Sequence, residues 1–176
     1  MINESLQIVD TNVPLVANNQ ADVSVDCVLE CVRCLKEIME NSGIVLDNQW
    51  RILREYMHQL SSTGEPGVGD AFLKWVLTNQ ANPERCALVE ITPKPDDELD
   101  FVEFPNHPGL QNFDRSDRKF VAVSAVHPLH PPIVQAADSK WWGWKNALAE
   151  CGIEVTFLCS DEIAEKYAKK MGNHDT

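Results

Sequence analysis

The stretch LQIVDTN at residues 6–12 decides the fold, because a short apolar run ends abruptly in Asp10 and two polar neighbours. The run is too short for a helix and is bounded by polar residues, so residues 6–9 are predicted as a strand. In open α/β sheets, functional groups gather at the carboxyl ends of the strands. Asp10 therefore marks the sheet edge at which we expect the other functional residues.

Short apolar runs alternate with longer amphipathic ones along the chain, which is typical of βαβ units. Strands are predicted over residues 6–9, 44–46, 86–92, 133–137 and 153–158. Helices are predicted over residues 24–42, 48–61, 70–79 with Asp70 as N-cap, 114–126, the tryptophan-rich segment that Gly152 closes, and 160–171. This order predicts an α/β fold, with a mostly parallel sheet covered on both faces.

Size and composition indicate one globular domain over residues 1–176, with 44% hydrophobic and 24% charged residues. Residues 81–113 form a loop-rich insert; after the strand predicted over 86–92, only FVEF at 101–104 is predicted to be extended. No apolar run approaches the roughly 20 residues that cross a bilayer. The segment MINESLQIVD lacks the basic flank and apolar centre of a signal peptide, so we expect a cytoplasmic protein without membrane contact.

The net charge of −12 limits the partners that the chain can bind, because 27 acids face only 15 Lys and Arg. Proteins that hold nucleic acid by neutralising phosphates normally present a basic face. The balance therefore disfavours long tracking of duplex DNA and favours small or flexible substrates, or a basic partner. Part of the excess lies in one predicted acidic loop, at Asp96, Asp97, Glu98, Asp100 and Glu103.

The cysteines are predicted to be core residues. Cys27, Cys31 and Cys34 recur at helical spacing on one face of the helix over 24–42, and small apolar thiols commonly pack in cores. The remaining three, at 86, 151 and 159, are scattered singly and show no paired zinc-ligand spacing. We expect neither a zinc site nor a disulfide in a reducing compartment.

Four acids spaced along the chain carry the functional hypothesis. The strand and turn IVDTN resemble the first signature of the PIN domain family, with Asp10 as its first acid. Glu55 in ILREYMHQL, Asp117 opening DRKFVAVSAVH and Asp138 ending IVQAAD match the second, third and fourth. The late pattern ALAECGIEVTFL is similar to the family's last helix and strand. The resemblance implies a three-layer α/β/α sandwich and metal-dependent ribonuclease activity.

Carboxylates are also the ligands that this chemistry needs. Mg²⁺ and Mn²⁺ prefer oxygen ligands, and two such ions can activate a water and stabilise a leaving oxygen. Asp10 could be a turn cap and Glu55 part of a solvated helix face, whereas Asp138, which ends a strand ahead of a helix, is harder to explain by a structural role alone. Asp117 could be a helix-dipole acid, and Asp114 competes with it for the same role.

Neighbouring residues are predicted to bind substrate. Thr11 and Asn12 either shape the turn after Asp10 or hydrogen-bond Asp10 or a phosphate. Many PIN proteins carry a further acid two positions after the fourth, where this chain has Lys140, which either contacts phosphate or weakens a second metal site. Trp141, in SKWWGWK, is a candidate for base stacking, with core packing as the alternative.

The predicted function is that of an endoribonuclease, using Mg²⁺ or Mn²⁺ to hydrolyse single-stranded or structured RNA. The alternatives are a non-catalytic PIN-like binding module and a structure-specific DNA nuclease. A phosphorylated-aspartate domain is remoter, because it needs a Lys after a late strand and CALVEITPK offers only Lys94. Resemblance to toxins and defence proteins implies an antitoxin or other protein partner, and a homo-oligomer is compatible with the sequence.

Overall fold

The computed structural model describes residues 5–172, in which seven strands and seven helices alternate. The strands are β1 Leu6–Val9, β2 Gly43–Asp47, β3 Cys86–Val89, β4 Pro93–Lys94, β5 Asp97–Phe101, β6 Ile133–Gln135 and β7 Val155–Phe157. The helices are α1 Asn12–Ala17, α2 Val25–Asn41, α3 Arg51–Gln59, α4 Val68–Asn79, α5 Arg118–Val126, α6 Ser139–Glu150 and α7 Ser160–Gly172. Two 3₁₀ turns, Pro108–Leu110 and Arg115–Asp117, precede α5.

The central sheet has five strands in the order β3-β2-β1-β6-β7, all parallel. The chain builds outward from β1 through β2 to β3 and then returns to place β6 on the other side of β1. The boundary between β1 and β6 is therefore a topological switch point, where ligand crevices form in sheets of this kind. The predicted α/β class and parallel sheet are confirmed.

Helices cover the sheet and bury its strands. α1, α2 and α4 pack against one another, whereas α3 and α5 pack together, with α5 lying along β1, β2 and β6. β2 is buried at every position, as expected for an internal parallel strand. The arrangement is compatible with a three-layer sandwich. No helix within residues 5–172 is both long and apolar enough to cross a membrane.

Two local predictions are wrong. Helix α1 was not predicted, because it is short and carries Pro14. Asp70 is not the N-cap of α4 but its third residue, where its buried carboxylate accepts from the N–H of Gly67 at 3.0 Å and of Ser61 at 2.8 Å. The acid therefore still satisfies free N–H groups near the helix start.

The insert contains more structure than predicted. β4 and β5 pair antiparallel as a hairpin, and FVEF contributes only Phe101 to it. Acidic residues in DELDF obscure the alternation that normally reveals a strand. The hairpin is tied to the start of α5, because Asp100 accepts from Arg118 at 2.9 Å and lies 2.7 Å from the Lys94 ammonium. Asp97 likewise pairs with Arg115.

The prediction about cysteines is partly wrong. Cys27 and Cys31 are buried in the core as predicted, but Cys27 forms a disulfide with Cys159, whose Cα atom is 5.3 Å away. The bond joins the first turn of α2 to the residue before α7, across 132 positions of sequence. Helical periodicity places thiols on a face of one helix but does not indicate which distant segment packs against that face.

Candidate metal centre

Asp10 lies at the switch point of the sheet, directly after β1. Its backbone N–H bonds to the carbonyl of Val134 in β6 at 3.1 Å, which fixes it between the two strands. The side chain is buried and accepts from the Asn12 N–H at 2.9 Å, so the predicted turn-cap contact is also present. Burial, and then the charge of Asp117, raise the pKa of Asp10 well above its ordinary value, with a smaller contribution from Glu55.

Asp117 is the last residue of the second 3₁₀ turn and the N-cap position of α5. Burial first, and the neighbouring Glu55 second, raise the pKa of Asp117 to about 6, with Asp138 adding a smaller effect. The Trp141 indole N–H reaches its carboxylate at 3.3 Å. Asp117 is therefore part of the same electrostatic cluster as Asp10, although the two acids are distant in sequence.

Glu55 approaches from α3, whose first turn is capped by Asp47. The Asp47 carboxylate accepts from the N–H groups of Arg51 and Ile52, both at 3.0 Å. Glu55 itself accepts from the Thr11 hydroxyl and lies 2.9 Å from the ammonium of Lys119 in α5. Lys119 is thus a cation built into the site, and it holds Glu55 between the end of β1 and the start of α5.

Asp138 completes the acid cluster, a name used from here on for Asp10, Glu55, Asp117 and Asp138. It caps α6 by accepting from the Lys140 N–H at 3.0 Å, so its ordinary structural role is also present. It still acts electrostatically on Asp117. Asp114, the alternative to Asp117, instead binds the Lys140 ammonium at 2.9 Å. Lys140 thus neutralises an acid at the border of the cluster.

The four carboxylates interact electrostatically, but they do not converge closely on one point. Among residues 5–172, no three acids bring one carboxylate oxygen each within 4.8 Å of one another. Lys119 and Thr11 hold Glu55 on one side, and Trp141 holds Asp117. The cluster is consequently a set of separately tethered carboxylates, and their mutual repulsion raises the pKa values of Asp10 and Asp117.

Asn12 is a positioning residue rather than a free substrate ligand. Its side-chain oxygen accepts from the Ala137 N–H at 2.9 Å, which links the residues after β1 to those after β6. The Thr11 hydroxyl is likewise engaged with Glu55. Both side chains therefore hold the site together, a role that was not predicted for this pair.

Three residues of the site were not predicted from sequence: Lys119, Tyr56 and Gln135. Tyr56 is fully buried and donates its hydroxyl to the Val9 carbonyl, pinning α3 to the end of β1. Gln135 is also fully buried beside Asp10, and its amide acts to lower the pKa of Asp10. Its Nε2 has no partner at regular hydrogen-bond geometry, so the contact with Asp10 is weak. A Gln inside the apolar strand IVQ was the available signal.

Trp141 is not available for base stacking. Its side chain is fully buried, and its ring lies edge-on to Phe113 at 5.0 Å between centroids. The prediction of a stacking role is therefore wrong, and its contact with Asp117 makes it a positioning residue. The apolar part of the indole packs in the core, while its N–H is directed at the acid cluster.

A basic cleft of about 430 Å³ adjoins the acid cluster. Lys119, which pairs with Glu55 of the acid cluster, also lines this cleft. Its cations are Arg51, Arg54, Arg115 and Lys119, against one lining acid, Glu98. Residues of the insert, including Leu99 and Phe101, form part of the wall. The strongly acidic chain thus presents a local concentration of positive charge where the acid cluster meets the insert.

The chain matches no protein-family model, no curated protein and no solved structure.

Proposed function

We propose that the chain is a PIN-like, metal-dependent endoribonuclease with the acid cluster as its active site. The observation that carries the proposal is the electrostatic convergence of four acids at the switch point between β1 and β6. Buried like charges destabilise a fold unless something neutralises them. Lys119 is one positive charge against four acids, so the cluster retains a strong preference for an additional cation.

The donor set fits a hard divalent cation. All four members are carboxylates, which Mg²⁺ and Mn²⁺ prefer over the nitrogen and sulfur ligands of softer metals. Asp10, Glu55, Asp117 and Asp138 would hold the ion. When bound, it would supply an activated water and stabilise the leaving oxygen of a phosphodiester.

The chain's own residues orient the acids and the substrate. Trp141 fixes Asp117, while Thr11 and Lys119 fix Glu55, so that the carboxylates are positioned before substrate arrives. The basic cleft would hold the phosphate backbone, with Arg54 as a contact that has no acid partner among the ion pairs of the described residues. This arrangement suits a flexible single strand, because the positive charge is local.

A cleavage assay tests the proposal. Labelled single-stranded RNA, single-stranded DNA and flap duplex are incubated with Mn²⁺ or with a chelator, and we expect Mn²⁺-dependent cleavage of RNA. Asp10→Asn and Asp117→Asn are expected to lower the rate at least about 100-fold, whereas Asp114→Asn and the exposed Asp96→Asn stay near wild type. If Asp114→Asn lowers the cleavage rate as much as Asp117→Asn does, the choice of Asp117 over Asp114 as third ligand is wrong. Preferred cleavage of the flap would indicate a DNA nuclease instead.

A non-catalytic module is the second candidate, and the ion pair between Lys119 and Glu55 is the observation that favours it. The Lys119 ammonium can replace part of the positive charge that a metal ion would supply, and so can Lys140, which pairs with Asp114 beside the acid cluster. In that case the protein binds RNA through the basic cleft without cutting it. Arg54→Ala would then weaken RNA binding in a filter assay, while no variant of the acid cluster changes the integrity of the RNA.

A further inference from the structure

A second cluster of potential metal ligands lies away from the acids, and it consists of sulfur. The Sγ atoms of Cys27, Cys31 and Cys159 all lie within 4.8 Å of one another, and all three residues are buried. Cys27 and Cys31 stand one turn apart on α2, and Cys159 faces them from the segment before α7. We call these three residues the thiol cluster.

From this geometry we propose that the reduced thiol cluster is a zinc site, which the disulfide between Cys27 and Cys159 replaces on oxidation. Three thiolates with one open position form a recognised zinc ligand set. Zn–S bonds of about 2.3 Å place tetrahedral thiolates roughly 3.8 Å apart. The three sulfurs already lie within 4.8 Å of one another, so once the disulfide is reduced its two sulfurs need only move apart within the same cluster. This inference is independent of the proposed nuclease function.

The surroundings of the thiol cluster also favour a cation. A cleft of about 250 Å³ opens beside Cys27 and Cys159, and the acids Asp26, Glu30, Asp161 and Glu162 line it. The carboxylate of Glu162 bonds the Ser24 backbone and hydroxyl, which ties α7 to the N-cap of α2 next to the sulfurs. The cleft gives a water or carboxylate oxygen access to the fourth zinc position, and its negative charge favours a dication over a bare trio of thiols.

The disulfide and the zinc site both cross-link α2 to the segment before α7, and each can be converted into the other by a two-electron step. A dithiol reductant delivers two electrons and two protons to the disulfide and becomes a disulfide itself. The three thiols then bind Zn²⁺ and release three protons. In the reverse direction, hydrogen peroxide takes two electrons from the Cys27 and Cys159 thiolates and two protons from solvent and becomes two waters, Cys31 takes a third proton from solvent, and the zinc ion leaves. Cys31 is the residue that distinguishes a zinc site from a plain disulfide, because it has no role in the latter.

Zinc titration under anaerobic conditions tests the inference. The full chain is reduced with a phosphine, freed of metal, and titrated with Zn²⁺ in competition with a chromophoric chelator. We expect one zinc per chain at the thiol cluster, an affinity at least about tenfold lower in Cys31→Ser, and no change in Cys34→Ser, whose half-buried thiol lies outside the cluster. Asp10→Asn should retain this zinc, which separates it from binding at the acid cluster.

The wild-type protein provides a second measurement that needs no substitution. Peroxide-oxidised chain should lose the high-affinity zinc, and Co²⁺ added to the reduced chain should give a sulfur-to-metal charge-transfer band that oxidation removes. Equal zinc affinity in Cys31→Ser and wild type would overturn the inference. So would high-affinity zinc binding that persists after the disulfide has formed, or that disappears only in Asp10→Asn.

Discussion

The acid cluster and the thiol cluster are assembled in the same way but differ in what holds them together. Each brings together side chains from distant segments; the three thiols are buried, whereas among the acids only Asp10 is buried and the other three are half-buried. Cys31 is neutral when its thiol is protonated, and Cys27 and Cys159 are joined by a disulfide. Bringing the three sulfurs together therefore costs little electrostatic free energy. The acids repel one another and are held by hydrogen bonds and one lysine. In the proposed function a cation relieves the repulsion between the acids, whereas the thiol cluster needs none for its stability.

Removing the disulfide is expected to have the largest effect on stability. Cys159→Ser should lower the free energy of unfolding of the oxidised protein by about 2–4 kcal/mol, because the bond closes a long loop. Differential scanning fluorimetry measures this, with about 2–4 °C expected per kcal/mol. Cys151→Ser, which alters a free half-buried thiol, is the control and should show little change. If Cys159→Ser and wild type melt together under oxidising conditions, the disulfide does not form in solution.

Asp10→Asn is expected to stabilise the metal-free protein and to reduce the stabilisation that metal provides. In chelator the variant should melt above the wild type, because one buried, repelling carboxylate has been neutralised. Mn²⁺ at 100 times its Kd should stabilise the wild type by about 2.7 kcal/mol and the variant by much less. Thermal melts with and without Mn²⁺ measure both effects. Equal metal-induced stabilisation in the two proteins would show that the ion binds elsewhere.

The hairpin of β4 and β5 is expected to brace the turn that carries Asp117. Asp100→Asn removes the negative charge and one of the two oxygens that accept from Arg118 and Lys94, which should cost about 1–3 kcal/mol of stability. Asp97→Asn is the matched control, because its pair with Arg115 is more exposed, and a smaller shift is expected. Chemical denaturation of the three proteins measures the difference. Equal shifts in both variants would mean that the hairpin is not anchored through Asp100.

Lys119→Gln tests how far a built-in cation replaces the metal. Without the ammonium beside Glu55, the acid cluster is more negative, so Mn²⁺ should bind about 3–10-fold more tightly. Calorimetric titration of Mn²⁺ measures this, and the exposed Lys36→Gln serves as control. Weaker binding in Lys119→Gln would instead indicate that Lys119 organises Glu55 for the ion more than it competes with it.

The smallest expected effect is a pH dependence of the metal-free protein. The pKa of Asp117 is raised from its ordinary 3.8 to about 6, so the folded state holds a proton that the unfolded state has released across this range. Stability in chelator should therefore fall as pH rises from about 4 to about 6, and Asp117→Asn should flatten that fall. A series of melts over this pH range measures it. An unchanged slope in Asp117→Asn would assign the effect to other groups.

The acid cluster could be predicted in outline because its members occupy conspicuous places in the sequence. Asp10 ends a strand and Asp117 opens a helix, and the parallel topology brings such positions to one edge. The strand order that creates the switch point, however, depends on pairing between distant segments, which no local pattern encodes. Lys119 and Tyr56 escaped prediction for the same reason, since each acts through a contact with another element.

The thiol cluster and the insert mark where local patterns fail. Periodicity predicted the shared face of Cys27 and Cys31, but the packing of the segment before α7 brought in Cys159. In the insert, acidic residues concealed β5, whose Asp100 is stabilised by cations from two neighbouring segments. Trp141 was misassigned because an aromatic residue near Lys looks the same in sequence whether its ring is exposed or buried.

The most direct test of the central claim is a crystal of the protein soaked in Mn²⁺, with anomalous difference density measured at the manganese edge. We expect a peak within bonding distance of an Asp10 oxygen and of at least one oxygen from Asp117, Glu55 or Asp138. A fully occupied ion elsewhere on the chain, with the four carboxylates left uncoordinated at saturating Mn²⁺, would contradict it.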